Sequence, residues 1–160
     1  MNIIVAIDEN NGIGKNNNLL THIPEDLKFF KQKTINSVVI MGRKTLESFP
    51  NKKPLKDRVN IVITSDKNYN IEGAIIVHSL DEAIEEANKY NKEIFVIGGA
   101  SVYKQFLPFA NTLYITQIYE KFDADTFFPK IDKDKWKIEN IDEIKEHNGI
   151  KFQFKKYSKI

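Results

Sequence analysis

Two stretches of the sequence decide the fold: SVVIMGRKT at residues 37–45 and IFVIGGAS at residues 94–101. Each starts with consecutive apolar residues, which is typical of a strand buried on both faces, and then passes through glycine into a predicted helix. A third predicted strand, 59–64, ends in Thr64 and Ser65. Open α/β sheets bind ligands at the carboxyl ends of their strands, and helix N-termini and glycine amides bind phosphate. The three strand ends therefore predict a site for an anionic dinucleotide.

The rest of the chain continues this alternation of strands and helices. The predicted strands are 2–8, 37–41, 59–64, 74–78, 94–97, 112–119, 135–141 and 150–157, and the predicted helices are 24–33, 43–48, 80–89 and 101–109. This order predicts a three-layer α/β fold, with a central, mostly parallel sheet of eight strands and four flanking helices. No helix separates the last strands, so the C-terminal edge is expected to be antiparallel. We expect one domain over residues 1–160.

Composition excludes several classes of function. Lys and Arg number 24 against 22 Asp and Glu, a net charge of +2, which is too balanced for electrostatic binding of nucleic acid. The absence of cysteine excludes disulfides, thiolate nucleophiles and zinc–cysteine sites. The three histidines lie far apart, so no metal site is expected and an organic cofactor must supply any difficult chemistry. No apolar run predicts a membrane segment, and we expect a cytoplasmic monomer.

The two arginines, Arg43 and Arg58, stand out in a chain that otherwise uses lysine as its basic residue. A site that needs the planar, bidentate guanidinium does not accept lysine freely, so both residues are candidates for anion binding. The alternative is that they are ordinary surface residues. Runs rich in Lys and Asn, such as residues 15–18, reflect the overall composition and are weak evidence of function.

The segment 9–23 is unusually long for a connection between a strand and a helix. It has about fifteen residues, where roughly two to six are usual. Long loops in compact domains are typically functional, so the segment is predicted to be a lid. The alternative is a passive insertion.

Asp26 is the one acidic residue with a suggestive environment. Leu27 is its neighbour, and Phe30 lies one helical turn further along, on the same flank. A carboxylate in such an apolar pocket can pair with a cationic or amidine-like heterocycle. Helical periodicity alone favours the alternative, a solvated acid in the first turn, where the helix dipole stabilises negative charge.

Five motifs then identify a family: IPEDL at 23–27, VIMGRKT at 39–45, IGGASVY at 97–103, LYIT at 113–116 and DTFFP at 125–129. In this order and spacing the chain resembles bacterial dihydrofolate reductase over essentially its whole length. The resemblance implies reduction of 7,8-dihydrofolate to tetrahydrofolate, with NADPH as the hydride donor.

The resemblance also implies a substrate site. In the family, the carboxylate that matches Asp26 binds the pterin ring and promotes protonation of N5. The other positions that match the pterin pocket are Ile4, Val5, Leu27, Phe30 and Thr116. Arg58 matches the clamp on the glutamyl carboxylate of the substrate, with Lys53 nearby.

Positions that match the NADPH site form three groups. The lid and nicotinamide group comprises Ala6, Ile13, Gly14, Asn17 and Leu19. The group around the adenosine and its 2′-phosphate comprises Gly42, Arg43, Lys44, Thr64, Ser65 and His78. The pyrophosphate group comprises Thr45, Gly98, Gly99, Ala100, Ser101, Val102 and Tyr103, and the resemblance implies a cis peptide bond between Gly98 and Gly99.

The sequence departs from the family pattern at a few positions. Leu20 and Thr21 stand where the family usually has Pro-Trp, Ala124 replaces a usual glycine, and His22 lies beside the expected pocket mouth. Two other functions stay open: a related reductase of riboflavin synthesis on the same fold, and a non-catalytic NADPH-binding protein. Both predict that NADPH is not oxidised when dihydrofolate is added.

Overall fold

The computed structural model describes residues 1–160. The strands are β1 (Asn2–Ile7), β2 (Gly12–Gly14), β3 (Val38–Gly42), β4 (Val59–Ile63), β5 (Ala74–Val77), β6 (Ile94–Gly98), β7 (Thr112–Ile118), β8 (Thr126–Phe127), β9 (Trp136–Ile141), β10 (Lys145–His147) and β11 (Ile150–Lys159). The helices are α1 (Pro24–Thr34), α2 (Arg43–Glu47), α3 (Leu80–Ala87) and α4 (Ala100–Phe106). Single 3-10 turns occupy Pro50–Lys52, Asn88–Tyr90 and Leu107–Phe109.

The main sheet has the order β10-β11-β7-β1-β6-β3-β4-β5, and it is parallel from β7 to β5. The strand β11 is antiparallel to β7, and β9 and β10 both pair with the outer side of β11. The predicted parallel sheet with an antiparallel C-terminal edge is therefore confirmed. The sheet is eight positions wide but contains nine strands, because the unpredicted β10 shares the outer position with β9.

The side chains of β1 show why the fold has three layers. Ile3 and Val5 face the side covered by α3 and α4, whereas Ile4 faces the side covered by α1 and α2. In β3, the residues from Val38 to Met41 are fully buried, so both faces of this strand lie in the core. The unbroken apolar run at the start of residues 37–45 reflects this double burial.

Three helices end earlier than predicted, α2 by one residue, at Glu47 rather than 48. The helix α4 stops at Phe106 rather than 109, because Pro108 has no amide hydrogen for an α-helical bond and the chain tightens into a 3-10 turn. The helix α3 stops at Ala87 rather than 89, and a 3-10 turn leads to Asn91 in the left-handed region. None of the helices combines the length and the apolar character needed to cross a membrane.

Candidate active site

The Asp26 carboxylate lies in the first turn of α1, against β7. The Thr116 hydroxyl donates a hydrogen bond of 2.6 Å to Asp26 Oδ1. Burial raises the pKa of Asp26, and the hydrogen bond from Thr116 lowers it by a smaller amount. The structure therefore removes the alternative of a fully solvated acid and leaves a partly buried carboxylate with one positioned hydrogen-bond donor.

A small cavity of about 20 Å³ adjoins Asp26. Its walls come from β1 and from the segment that precedes α1, including Ala6, Leu20, Thr21 and Ile23. Asp26 is the only ionisable residue in this lining, and the volume is enough for about one water molecule. Thr21, which stands where the family has Trp, thus contributes a hydroxyl-bearing residue to the cavity wall beside the carboxylate.

The other residues matched to the pterin pocket surround Asp26 at different depths. Ile4 and Val5 are buried in β1, and the buried Tyr103 hydroxyl donates a 2.8 Å hydrogen bond to the Ile4 carbonyl. Burial raises the pKa of Tyr103, so its hydroxyl stays protonated as a donor. Phe30 is partly buried, whereas Leu27 is 38% exposed at the cleft surface.

Arg58 lies at the other end of α1. Its Nη1 donates a 3.0 Å hydrogen bond to the Thr34 hydroxyl, and its Nε donates to the Lys56 carbonyl at 2.9 Å. Thr34 is fully buried, so it holds the guanidinium at a fixed place, and burial lowers the pKa of Arg58. Lys53 is exposed on the same connecting loop.

The glycine turn after β6 is adjacent to α2, as the pyrophosphate assignment requires. The peptide bond between Gly98 and Gly99 is cis, as expected, and Gly98 has φ +136°, a region that favours glycine. A Cβ atom added at Gly98 would lie 3.1 Å from the Thr45 hydroxyl oxygen. The turn and Thr45 therefore fit closely, with little space for a side chain at Gly98.

Arg43, at the start of α2, is already surrounded by acidic and aromatic groups. Its guanidinium makes ion pairs of 3.3 Å with Glu47 and 3.2 Å with Asp66, and it lies 4.4 Å from the centre of the Tyr69 ring. The hydrogen bond to Glu47 is the main cause that raises the pKa of Arg43. A phosphate that binds here must share Arg43 with two carboxylates.

The residues that follow the carboxyl ends of β4 and β5 complete the region around Arg43. The His78 ring, through Nδ1, lies 2.8 Å from the Thr64 carbonyl oxygen, and the Thr64 hydroxyl accepts a 3.2 Å hydrogen bond from the Asp66 amide. Ser65 is exposed beside them. The residues matched to the adenosine end of the cofactor, which are distant in sequence, are thus neighbours in the fold.

The predicted lid is not an irregular loop. Its strand β2 pairs antiparallel with β8, which the sequence did not predict. The base of the segment is held by Asp8, whose carboxylate accepts amide hydrogen bonds from Asn10, Gly12 and Phe122 at 2.8, 2.7 and 3.0 Å. The side chain of Ala124 packs against Gly12, where an added Cβ would lie only 2.6 Å from the Ala124 Cβ.

The tip of the lid is a two-residue hairpin. Lys15 and Asn18 exchange backbone hydrogen bonds of 3.0 and 2.9 Å, and Asn16 and Asn17 between them both have positive φ. This is the geometry of the hairpin turns that favour asparagine. The Asn16 amide donates to Asp125, Lys15 pairs with Asp123, and the Asn17 side chain donates a 2.8 Å hydrogen bond to the Lys44 carbonyl. Leu19 is 62% exposed.

Three residues of this region were not singled out from the sequence: Asp8, Thr34 and Asp66. Each acts through a partner distant in the chain or through backbone amides, so no local pattern marks it. Asp125, the acid of the motif DTFFP at 125–129, accepts a hydrogen bond from the Asn16 amide and so joins this motif to the lid.

Comparison with known proteins agrees with this geometry. A family model described as Dihydrofolate reductase matches residues 1–159. This chain belongs to the dihydrofolate reductase family. A dihydrofolate reductase of Bacillus subtilis is 38% identical, over 99% of this chain and 94% of the relative, and one of Haemophilus influenzae is 44% identical, over 86% and 83%.

The fold is also that of a solved dihydrofolate reductase. The structure from Enterococcus faecalis, described as complexed with NADP(H) and RAB-propyl, has a TM-score of 0.89 and 39% identity and covers 99% of this chain and 95% of that chain. The family resemblance and the fold class expected from the sequence are therefore confirmed.

Proposed function

We infer that this chain reduces 7,8-dihydrofolate to 5,6,7,8-tetrahydrofolate with NADPH as the hydride donor. Family membership confirms the reductase activity and the cofactor expected from the sequence. The roles of individual residues are our proposal. The observation that carries them is the Asp26 carboxylate, which Thr116 holds from one side while its other oxygen, Oδ2, accepts no hydrogen bond from the chain.

For the pterin ring, we assign Asp26 as the acceptor of paired N–H donors. A carboxylate that presents a free oxygen in an apolar pocket favours an amidine-like head group, because two parallel N–H donors satisfy both of its oxygens. Reduction adds a hydride at C6 and a proton at N5. Asp26 promotes the second of these events by holding negative charge beside the ring, while Ile4, Val5 and Phe30 exclude bulk water.

For the tail of the substrate, the length of helix α1 sets the distance between the two groups that bind the ligand. Asp26 lies at its start and Thr34, which positions Arg58, at its end, roughly 12 Å apart along the helix axis. A ligand that bridges them has an amidine-like head and an anionic tail. Dihydrofolate has both, with its glutamyl carboxylate placed to meet the Arg58 guanidinium.

For the cofactor, the residues present fit NADPH. Gly98 lies so close to Thr45 that an added Cβ would crowd it, which supports the assignment of this turn to the pyrophosphate, and Arg43 offers a cation for the 2′-phosphate end. When bound, NADPH supplies the hydride from its nicotinamide ring. The chain contributes binding, orientation and the lid, whose Asn17 reaches the first turn of α2.

The two alternatives are distinguished by Asp26 and Arg58. A riboflavin-type reductase retains a phosphate-binding turn but has no use for a buried carboxylate and a guanidinium at opposite ends of one helix. A non-catalytic binder of NADPH requires neither. The test is the absorbance of NADPH with the purified chain: oxidation that depends on dihydrofolate, and that a diaminopyrimidine antifolate inhibits, supports the proposal. Binding without oxidation contradicts it.

We further propose that residues 1–160 fold as one unit and act as a cytoplasmic monomer that does not bind nucleic acid. The balanced charge of +2 supports the last point. Light scattering after gel filtration tests the monomer, a single calorimetric transition tests the unit, and fractionation of cells tests the location.

A further inference from the structure

A second cavity of the molecule lies away from Asp26. It is a groove of about 490 Å³ between the outer face of α1 and the C-terminal strands β7, β9 and β11. This volume lies within the range of small-molecule sites, roughly 300–1,000 Å³. The substrate-tail assignment uses the opposite flank of α1, where Thr34 meets Arg58, so the groove is a separate feature.

Four lysines line the groove: Lys28 and Lys33 on α1, and Lys155 and Lys156 on β11. Lysine is abundant in this chain, so their number alone carries no argument. The informative observation is that three of them have no carboxylate partner. Only Lys156 has one, Glu139 at 3.8 Å. The groove thus collects ammonium groups that its own carboxylates do not neutralise.

The two carboxylates of the groove, Glu25 and Asp142, leave this excess in place. Asp142 pairs with Lys145, which lies outside the lining, at 3.5 Å, and Glu25 pairs with no lysine. Lys33 and Lys156 approach the same ring, with ammonium nitrogens 4.9 and 5.7 Å from the centre of Tyr114. Two ammonium groups that both lie within about 6 Å of one ring centre repel each other, and a bound anion relieves that repulsion.

Aromatic rings form the apolar wall of the groove. Phe29 on α1 stacks on Phe154 of β11, with ring centres 4.4 Å apart and planes 14° apart. The Gln32 and Asn140 side chains also line the groove and carry both hydrogen-bond donors and acceptors. A ligand that matches these groups has a planar heterocycle with a polar edge and a compact, multiply charged anion.

We propose that this groove is a second binding site, specific for a nucleoside monophosphate. The phosphate lies between the Lys33 and Lys156 ammonium groups, which favour an oxyanion, and the base lies along the Phe29–Phe154 wall with its edge towards Gln32 and Asn140. The site is independent of the proposed reductase activity, since none of these side chains makes a hydrogen bond or an ion pair with Asp26, Arg58 or the glycine turn.

The test uses the full chain saturated with NADPH and a diaminopyrimidine antifolate, so that the active site and the adenosine site of the cofactor are filled. Uridine 5′-monophosphate, uridine and inorganic phosphate are each titrated at low ionic strength, by calorimetry and by NMR of backbone amides. The variant is Lys33→Gln with Lys156→Gln. The matched control is Lys104→Gln, an exposed lysine on α4 at the opposite face of the sheet.

We expect one equivalent of uridine 5′-monophosphate to bind, with amide shifts at Lys33 and Tyr114. The double variant weakens this binding at least tenfold and leaves dihydrofolate reduction unchanged, while Lys104→Gln has no effect. Uridine and phosphate each bind at least tenfold more weakly than the nucleotide. No binding at millimolar nucleotide, equal binding of phosphate alone, or an equal loss in the control variant overturns the proposal.

Discussion

The Thr116 hydroxyl on β7 lies 2.6 Å from the Asp26 carboxylate on α1. This bond joins residues 90 positions apart and fixes the carboxylate against the sheet, with Oδ2 left for a ligand. Because the hydroxyl donates, it stabilises the charged form of Asp26, while burial opposes that form. The charge of this carboxylate therefore destabilises the ligand-free protein, and a ligand that donates hydrogen bonds to Oδ2 stabilises it.

The first prediction concerns catalysis by Asp26. Asp26→Asn retains the shape and the hydrogen bond from Thr116 but removes the charge. We expect turnover near neutral pH to fall by roughly 10²–10⁴, the scale of losing acid–base assistance. The deficit shrinks as the pH falls, because solvent then protonates N5 without help. Steady-state kinetics of both proteins from acidic to alkaline pH measures this, and a deficit that stays constant with pH would contradict the role in proton delivery.

The second prediction concerns stability. A carboxyl whose pKa is raised on folding stabilises the fold fully below its unfolded pKa, about 3.9, and loses this contribution as the pH rises through the folded value. At neutral pH the folded wild type thus holds a destabilising charge. We expect Asp26→Asn to melt a few degrees higher than wild type near neutral pH, since about 1 kcal/mol corresponds to roughly 2–4 °C at this size.

Calorimetry of the ligand-free proteins at several pH values tests this sign. The difference in melting temperature should disappear on acidification, as the wild-type carboxyl becomes protonated. Thr116→Val serves as a comparison, because it removes the donor and increases the cost of the charge. A wild type that is the more stable protein at neutral pH would contradict the predicted sign.

The third prediction concerns the tail clamp. Arg58→Lys retains the charge but loses the planar fork that Thr34 orients, so dihydrofolate should bind about 30-fold more weakly, which corresponds to about 2 kcal/mol. A diaminopyrimidine inhibitor without a glutamyl tail should bind almost as before. Fluorescence titration with both ligands makes the comparison, and equal losses for the two would assign Arg58 to the structure of the loop instead.

The fourth prediction concerns cofactor choice. Arg43 is shared by Glu47 and Asp66, and exposed ion pairs of this kind contribute about 0–1 kcal/mol each. Asp66→Asn should release Arg43 and tighten NADPH binding by about two- to fivefold, with NADH unchanged. Arg43→Ala should weaken NADPH much more than NADH. Equilibrium binding of both cofactors to both variants provides the test, and parallel changes for NADPH and NADH would remove Arg43 from the 2′-phosphate site.

The elements predicted best from the sequence are the strands that are buried on both faces of the sheet. The strands that begin the motifs at 37–45 and 94–101 are unbroken apolar runs because helices cover both faces of the sheet, and their pattern survives in the sequence whatever the neighbours are. The pairing β2–β8 was missed for the opposite reason. Strands of three and two residues are too short to show any periodicity. The region is instead held together by hydrogen bonds that backbone amides donate to the Asp8 carboxylate.

The environment of Asp26 shows how far the candidate site could be predicted from the sequence. Its neighbours Leu27 and Phe30 fitted either a buried or a solvated carboxylate, because the residue that decides, Thr116, comes from a strand 90 positions away. The acidic partner of Arg43, Asp66, is likewise 23 positions distant. The resemblance to a family placed Thr116 and Asp26 in one pocket before the fold was known, but it did not bring Asp66 to Arg43.

The last prediction concerns the lid. Asn16 and Asn17 both adopt positive φ, but only the Asn17 side chain reaches across to the Lys44 carbonyl. Glycine tolerates this backbone conformation, so Asn17→Gly removes the bond without adding strain, and Asn16→Gly is a matched control that retains the amide bond to Asp125. A single hydrogen bond contributes about 0.5–1.5 kcal/mol, so Asn17→Gly should weaken NADPH binding by about two- to tenfold through a faster dissociation rate. Asn16→Gly should leave the rate nearly unchanged. Stopped-flow displacement of NADPH measures both rates. Equal acceleration in the two variants would mean that the flexibility added by glycine, rather than the loss of the contact with Lys44, speeds the release of NADPH.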